Sequence, residues 1–167
     1  MISADHVRLM AKYNRWQNDS IYEAAGTLTD DQRRTDKGAF FGSVHGTLNH
    51  ILWGDRMWMH RFTGSPKPAL ASIRNSKDFY EAWDDLCTQR VAVDDEIAAW
   101  AASLSEAWLQ DDLSWLSGSS QSEVTKPRWV LVAHMFNHQT HHRGQVHCLL
   151  TGFGANPGDT DIPFMPT

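Results

Sequence analysis

The chain has 167 residues, of which 41% are hydrophobic and 21% charged, a composition typical of one globular domain spanning residues 1–167. Its formal net charge of -5 argues against a nucleic-acid partner, because a protein that binds phosphate backbones needs a basic face. It contains no run of about 20 apolar residues and no leader-like N-terminus, so we expect no membrane partner and a cytoplasmic location.

Two helices are predicted in the first part of the chain. The first runs from about Ser3, a residue suited to an N-cap, to Gly26. Asn14 and Gln17 border its apolar stripe; we favour a partly exposed stripe edge for them over a polar cavity. The second helix, residues 43–62, is apolar almost all round, which favours a central place in a bundle or a dimer contact.

A third helix is predicted from about Ser76 to Leu104. Its stripe residues are spaced alternately by four and three, as in helices packed lengthwise in a left-handed bundle. Only Arg90 interrupts this stripe. A buried guanidinium needs a partner, so Arg90 either forms an internal ion pair, which we favour, or faces an anionic ligand. The stripe comprises Phe79, Trp83, Leu86, Arg90, Val93, Ile97, Trp100 and Leu104.

Residues 105–127 have no helical period and are predicted to form a small hairpin or an ordered loop before a fourth helix, which ends near residues 151–154. The tail, residues 156–167, is rich in Gly, Pro and Asp. We expect Ile162, Phe164 and Met165 to hold it against the bundle or a partner.

The sequence also predicts the burial of two sets of side chains. The two cysteines, Cys87 and Cys148, are interpreted as buried thiols, with a chemical role for Cys148 as the alternative. The tryptophans within the helices, Trp53 and Trp58 among them, are expected to fill a core or an interface. Trp16 and Trp108 are the proposed exceptions that would border a cavity.

Histidines are concentrated in the fourth helix. His134, His138 and His142 are spaced by four and share one helix face, where a pair one turn apart can bind a metal ion. His134 and His142 are about 12 Å apart along the axis, too far for all three to reach one ion. The second helix must therefore supply a ligand, and spacing alone does not choose between His45 and His50.

Two segments, residues 47–58 (TLNHILWGDRMW) and residues 138–145 (HQTHHRGQ), resemble the DinB-like family, the damage-inducible and YfiT-like proteins, and the similarity extends to chain order and length. The resemblance implies an all-α four-helix bundle, a homodimer, and a divalent metal ion bound by His50, His138 and His142. It leaves His45 and His141 outside the ligand pattern and places His134 beside the ligands or in the pocket.

A three-histidine site leaves a coordination position open, and imidazole suits zinc or nickel. Such an ion lowers the pKa of a bound water or thiol. Family relatives include enzymes that transfer low-molecular-weight thiols such as bacillithiol or mycothiol. We therefore expect a metal-dependent thiol transferase or hydrolase that acts on a small-molecule substrate. Gln145 and, under the alternatives given above, Arg90, Asn14 and Gln17 are the candidates to line the open face of the metal site. The alternative is a non-catalytic stress-response protein that binds a metal or a small ligand.

Overall fold

The computed structural model describes residues 1–70, 72–118 and 121–166, and four long helices dominate them. The helices are α1 (Ala4–Gly26), α2 (Asp30–Arg34), α3 (Val44–Thr63), α4 (Trp83–Ser103), α5 (Glu106–Gln110) and α6 (Arg128–Gly152). Strands β1 (Asp112–Leu116) and β2 (Glu123–Pro127) pair as an antiparallel hairpin before α6. The all-α bundle with a hairpin between its third and fourth long helices is therefore confirmed. Within the described ranges, no helix is long and apolar enough to cross a membrane.

Capping residues explain where the first two long helices begin and where the second of them ends. The Ser3 hydroxyl accepts a bond from the His6 N–H, and the Ser43 hydroxyl accepts one from the Gly46 N–H. Gly64 ends α3 in the left-handed conformation, with φ of 77°, and its N–H donates to the His60 carbonyl. Both helices lie within a residue of their predicted limits.

The third long helix begins later than predicted. Ile73–Asp78 forms a separate 3-10 helix, and α4 starts only at Trp83, so one helix from Ser76 is wrong. Asn49 on α3 explains the break, because its amide binds the N–H and the carbonyl of Tyr80, at 2.7 and 3.1 Å. Side-chain bonds thus hold this segment to α3 before the chain turns into α4. Phe79 still packs on the core, which is why the apolar period continued across the break.

The C-terminal tail lies along α1. The Tyr13 hydroxyl donates to the Thr160 carbonyl and the Gln17 amide to the Asp159 carbonyl, both at 2.9 Å. Contact with the bundle was predicted, but its chemistry was not, because Ile162 and Phe164 remain exposed. Residue 167 and residues 119–120, which belong to the predicted tail and hairpin turn, lie outside the described residues.

A buried polar network crosses the bundle. Arg90 donates to Asp55 at 2.6 Å and to Asp94 at 2.9 and 3.1 Å. Asn14 and Asn18 also donate to Asp94. Every one of these five residues is at most 4% exposed. The internal ion pair expected for Arg90 is confirmed, whereas the partly exposed position expected for Asn14 is wrong.

The two cysteines differ from each other. Cys148 is exposed, so its predicted burial is wrong, and Cys87 is only partly buried. Burial nevertheless raises the pKa of the Cys87 thiol to about 11, which keeps it protonated at neutral pH.

Candidate metal centre

Three histidine rings from two helices meet inside the bundle. His50 of α3 and His138 and His142 of α6 each offer a ring nitrogen, and these nitrogens all lie within 4.8 Å of one another. The Nε2 atoms of His50 and His138 are 3.0 Å apart. Two nitrogens bound to one tetrahedral zinc ion at about 2.0–2.1 Å would be separated by roughly 3.3 Å. These three imidazoles, which we call the histidine triad, could hold one divalent ion.

Helix geometry brings His50, and not His45, next to the two histidines of α6. His45 is buried on another face of α3, where its Nε2 lies 3.0 Å from the Tyr80 carbonyl. His134 and His141 line the same cavity as the triad, and the His134 ring packs edge-on against Trp58. Of the histidines left without a ligand role, His45 lies away from the triad, whereas His134 and His141 lie beside it.

Ser76 fixes the protonation of the His50 ring. Its hydroxyl proton is donated to the Ile73 carbonyl, at 2.5 Å, so the Ser76 oxygen must accept from Nδ1 of His50, at 2.8 Å. Nδ1 therefore carries the proton, and Nε2 keeps its lone pair directed at His138. A metal ligand needs this tautomer, and such partners orient ligand rings in known metal sites.

Gln145 has the same role for His142. Its side-chain oxygen lies 2.8 Å from Nδ1 of His142, which leaves Nε2 of that ring free. Its amide nitrogen lies 3.4 Å from Nε2 of His141. Gln145 thus links the triad to the histidine at the cavity rim, and it holds His142 with a lone pair available.

The triad is neutral in this environment. Burial, followed by the nearby His138 and His142 rings, lowers the pKa of His50 to about 3. Burial and then His142 lower the pKa of His138 to about 4. Burial also lowers the pKa of His142, although its bond to Gln145 opposes the shift. Neutral imidazole is the form that binds metal ions.

Close packing leaves little freedom around the triad. The His50 ring stacks on Phe41 with 3.7 Å between ring centroids. A Cβ atom at position 54 would lie 3.0 Å from Cε1 of His138, so Gly54 gives that ring its space. The geometry therefore needs both an aromatic support and a residue without a side chain.

A cavity of about 470 Å³ opens beside the triad. Trp53, Met57 and Trp58 supply much of its apolar wall, and Phe41 and Gln145 flank the histidines. Its size and mixed lining are those of a small-molecule site.

Comparison with known proteins identifies the family of this chain. The model of the DinB family matches residues 2–167. The chain belongs to the DinB family. It is also 23% identical over 173 residues to Protein DinB of Bacillus subtilis (strain 168), covering 95% of this chain and 92% of that relative. Membership in the DinB family and the three adjacent histidines are compatible with metal binding.

The open face of this DinB-family chain differs from its predicted lining. Gln145 lines the cavity, whereas Arg90 and Asn14 belong to the buried network and Gln17 binds the tail. Those three assignments are wrong, because a residue near a helix stripe can face any of several neighbours.

The tryptophan predictions for the DinB-family chain are confirmed in part. Trp53 and Trp58 are buried as predicted, and both also form cavity wall. Trp108, proposed to border a cavity, packs instead against Phe62 and Trp100. Trp16 lies next to Tyr13 and is not part of the cavity lining. Burial alone does not separate a core tryptophan from a pocket wall, since Trp53 and Trp58 are only 7% and 9% exposed.

Two residues of the site escaped the sequence reasoning. Phe41 precedes α3 and Ser76 lies in the 3-10 helix Ile73–Asp78, so neither belongs to the stripe of a long helix and no periodicity marks them. The signal for Phe41 was the apolar Phe40-Phe41 pair just before a capping serine. No comparable signal exists for Ser76, whose function depends on a 3-10 turn.

Proposed function

We propose that His50, His138 and His142 bind one divalent metal ion, zinc or nickel, and that the protein is a metal-dependent enzyme acting on a small molecule. The observation that carries this proposal is the convergence of three neutral imidazoles beside an apolar cavity. Three protein ligands, rather than the four of a structural zinc site, leave one position for a reactant.

The chemistry follows from the charge of the ligands. An ion held by three neutral imidazoles keeps its double charge and lowers the pKa of a thiol or water that it binds. Ser76 and Gln145 hold His50 and His142 in the ligand tautomer. The walls formed by Trp53 and Trp58 limit the access of water to the reacting group.

The cavity favours a thiol over a general-base hydrolysis. Along the part of the chain that the structure describes, its lining contains no Asp or Glu. A carboxylate base of the kind that zinc peptidases use is therefore missing from this lining, so we propose that the ion itself activates the nucleophile. We propose the transfer of a low-molecular-weight thiol to an electrophile as the leading reaction, with hydrolysis as its variant.

Metal analysis of untagged protein tests the site. Wild type should contain stoichiometric zinc or nickel, or take up either ion when it is added. His50→Ala and His142→Ala should each lose it, because each removes a converging nitrogen. His45→Ala is the matched control: it removes another buried histidine of α3 and should retain the metal. Wild type that neither contains nor binds these ions would contradict the proposal.

Cobalt substitution then separates an enzyme from a non-catalytic metal protein. The missing carboxylate also fits the second reading, in which the open position is unused. A thiol that binds the cobalt protein should add a sulfur charge-transfer band. A spectrum unchanged by a panel of physiological thiols would favour the non-catalytic protein.

A further inference from the structure

One arginine in the wall of the cavity has no anionic partner. Arg61 of α3 is half-buried, and its guanidinium lies 4.5 Å from the ring centroid of Trp58 and 5.3 Å from that of Trp115. Among residues 1–70, 72–118 and 121–166, no carboxylate or carbonyl receives a hydrogen bond from it. The two aromatic rings therefore hold the guanidinium in place and leave its N–H groups available.

Arg56 and Arg90 of the bundle, by contrast, do have anionic partners. Arg56, on the same helix, lies 3.3 Å from Glu96 and 2.8 Å from Gln89. Arg90 binds both Asp55 and Asp94. A partly buried cation without a counter-ion costs free energy, and burial lowers the pKa of Arg61 accordingly. This uncompensated charge of Arg61 lies in the wall of the cavity beside the triad.

The charge of the cavity is of one sign. Its described lining holds the Arg61 cation and the triad but no acidic residue. Apart from His134, His141 and Gln145, the remaining wall is aromatic or apolar. Electrostatic complementarity therefore favours a ligand that carries a negative charge on an apolar body.

The shape of this ligand follows from the positions of Arg61 and of the histidine triad in the cavity. Arg61 lies over Trp58, which also contacts the His134 ring, at 5.3 Å between centroids. His134 precedes His138 on α6 by four residues, about 6 Å along the axis. The guanidinium therefore lies on the His134 side of the cavity, beside the Trp58 ring.

We propose that Arg61 is the specificity-determining residue of this cavity and binds the carboxylate of an aromatic or apolar substrate whose reacting group lies at the histidine triad. This assignment rests on the proposed function in naming a substrate, since it concerns the same cavity. The planar guanidinium fork matches a carboxylate, and a cavity of about 470 Å³ accommodates a small aromatic acid.

Binding of a matched ligand pair tests the proposal. Calorimetry would compare 2-naphthoate with 2-naphthamide, which has the same ring system but no charge. Both would be titrated into wild type treated with chelator and into zinc-treated wild type. We expect metal-free wild type to prefer the acid by about 10–100-fold, because a hydrogen bond between charged groups is stronger than one to a neutral amide.

Three variants locate the source of that preference. Arg61→Met keeps the apolar stem over the tryptophans but removes the charge, so it should bind both ligands equally. Its unchanged affinity for 2-naphthamide would show that the cavity is intact. Arg61→Lys should retain part of the preference. Arg56→Met removes a neighbouring arginine outside the cavity and should behave as wild type.

The outcomes separate this inference from the metal proposal. A preference for the acid that persists in metal-free Arg61→Met would overturn the role of Arg61. So would a preference that exists only with zinc and is independent of Arg61, since the carboxylate would then bind the ion. Absence of binding by both ligands at millimolar concentration would overturn it too. An Arg61-dependent preference in a protein that binds no metal would support it while contradicting the metal site.

Discussion

Two polar clusters lie side by side in this bundle, and they differ in how their groups are paired. In the buried network, both oxygens of Asp55 accept bonds, one from Arg90 and one from Gln139. In the histidine triad, the ring nitrogens of three imidazoles converge next to a cavity. Apart from the Gln139 side-chain oxygen, which has no partner among the described residues, the first cluster is closed by its own side chains, and the second borders a cavity that could hold a ligand.

The closeness of the two clusters makes the comparison informative. Gly54 contacts the triad while Asp55, the next residue, belongs to the network. On α6, His138 belongs to the triad and the next residue, Gln139, binds Asp55 of the network. His50 and His142 are buried like the residues of the network, and only His138 is more exposed, so the state of pairing is the clearer difference between the structural cluster and the candidate site.

The largest effect should come from breaking the closed cluster. Asp55→Ala leaves the Arg90 charge in the core with one partner fewer, and loss of one member of a buried ion pair costs about 3–5 kcal/mol. Urea denaturation of metal-free protein measures this, with His138→Ala as the comparison that should lose metal and much less stability. If Asp55→Ala abolished metal binding at unchanged stability, the division between the clusters would be wrong.

A smaller effect is expected when a residue that supports the triad is changed. Ser76→Ala removes the acceptor that fixes His50, so zinc affinity should fall by about 10–100-fold without loss of a ligand. Competition with a chelator measures the affinity. Ser72→Ala is the control, because that serine caps the same 3-10 helix through the Asn75 N–H and does not touch the triad. Equal affinities of wild type and Ser76→Ala would show that the tautomer is fixed by other contacts.

The smallest expected effect is the change of zinc affinity with pH. Three histidines with the ordinary pKa of about 6.5 would together lose roughly 10³-fold in zinc affinity between about pH 7.5 and 5.5, as protons compete for the nitrogens. Here the pKa values of His50 and His138 are lowered to about 3 and about 4, so both rings stay neutral over that interval. The loss should therefore stay below about tenfold, and it should steepen only as the pH approaches 4. The same chelator competition at several pH values would detect an ordinary titration if one occurred.

The long helices could be read from the sequence because their stripes and caps are local. Ser3, Ser43 and Gly64 mark ends that depend on neighbouring residues only. The start of α4 could not be read in this way, since Asn49 binds Tyr80 across 31 positions of the chain. The single-domain organisation and the homodimer remain predictions.

The candidate site was predictable in part. The histidine row on α6 indicated a metal, and the family resemblance selected His50 over His45. The positions of Arg90, Asn14 and Gln17 depend on which neighbouring element each meets, which a helix period does not encode. Arg61 was missed for the same reason: its partners are two tryptophans, one of them on the hairpin.

The division of neighbouring residues between the clusters has a mechanical consequence. A rotation of α6 that drew His138 away from His50 would also stretch the 2.8 Å bond from Gln139 to Asp55. The electrostatic cohesion of the network thus resists any change in the spacing of the triad nitrogens. We expect the bundle to act as a stiff frame that sets the size of the ion it accepts, so that discrimination between cations originates partly in residues that touch none of them.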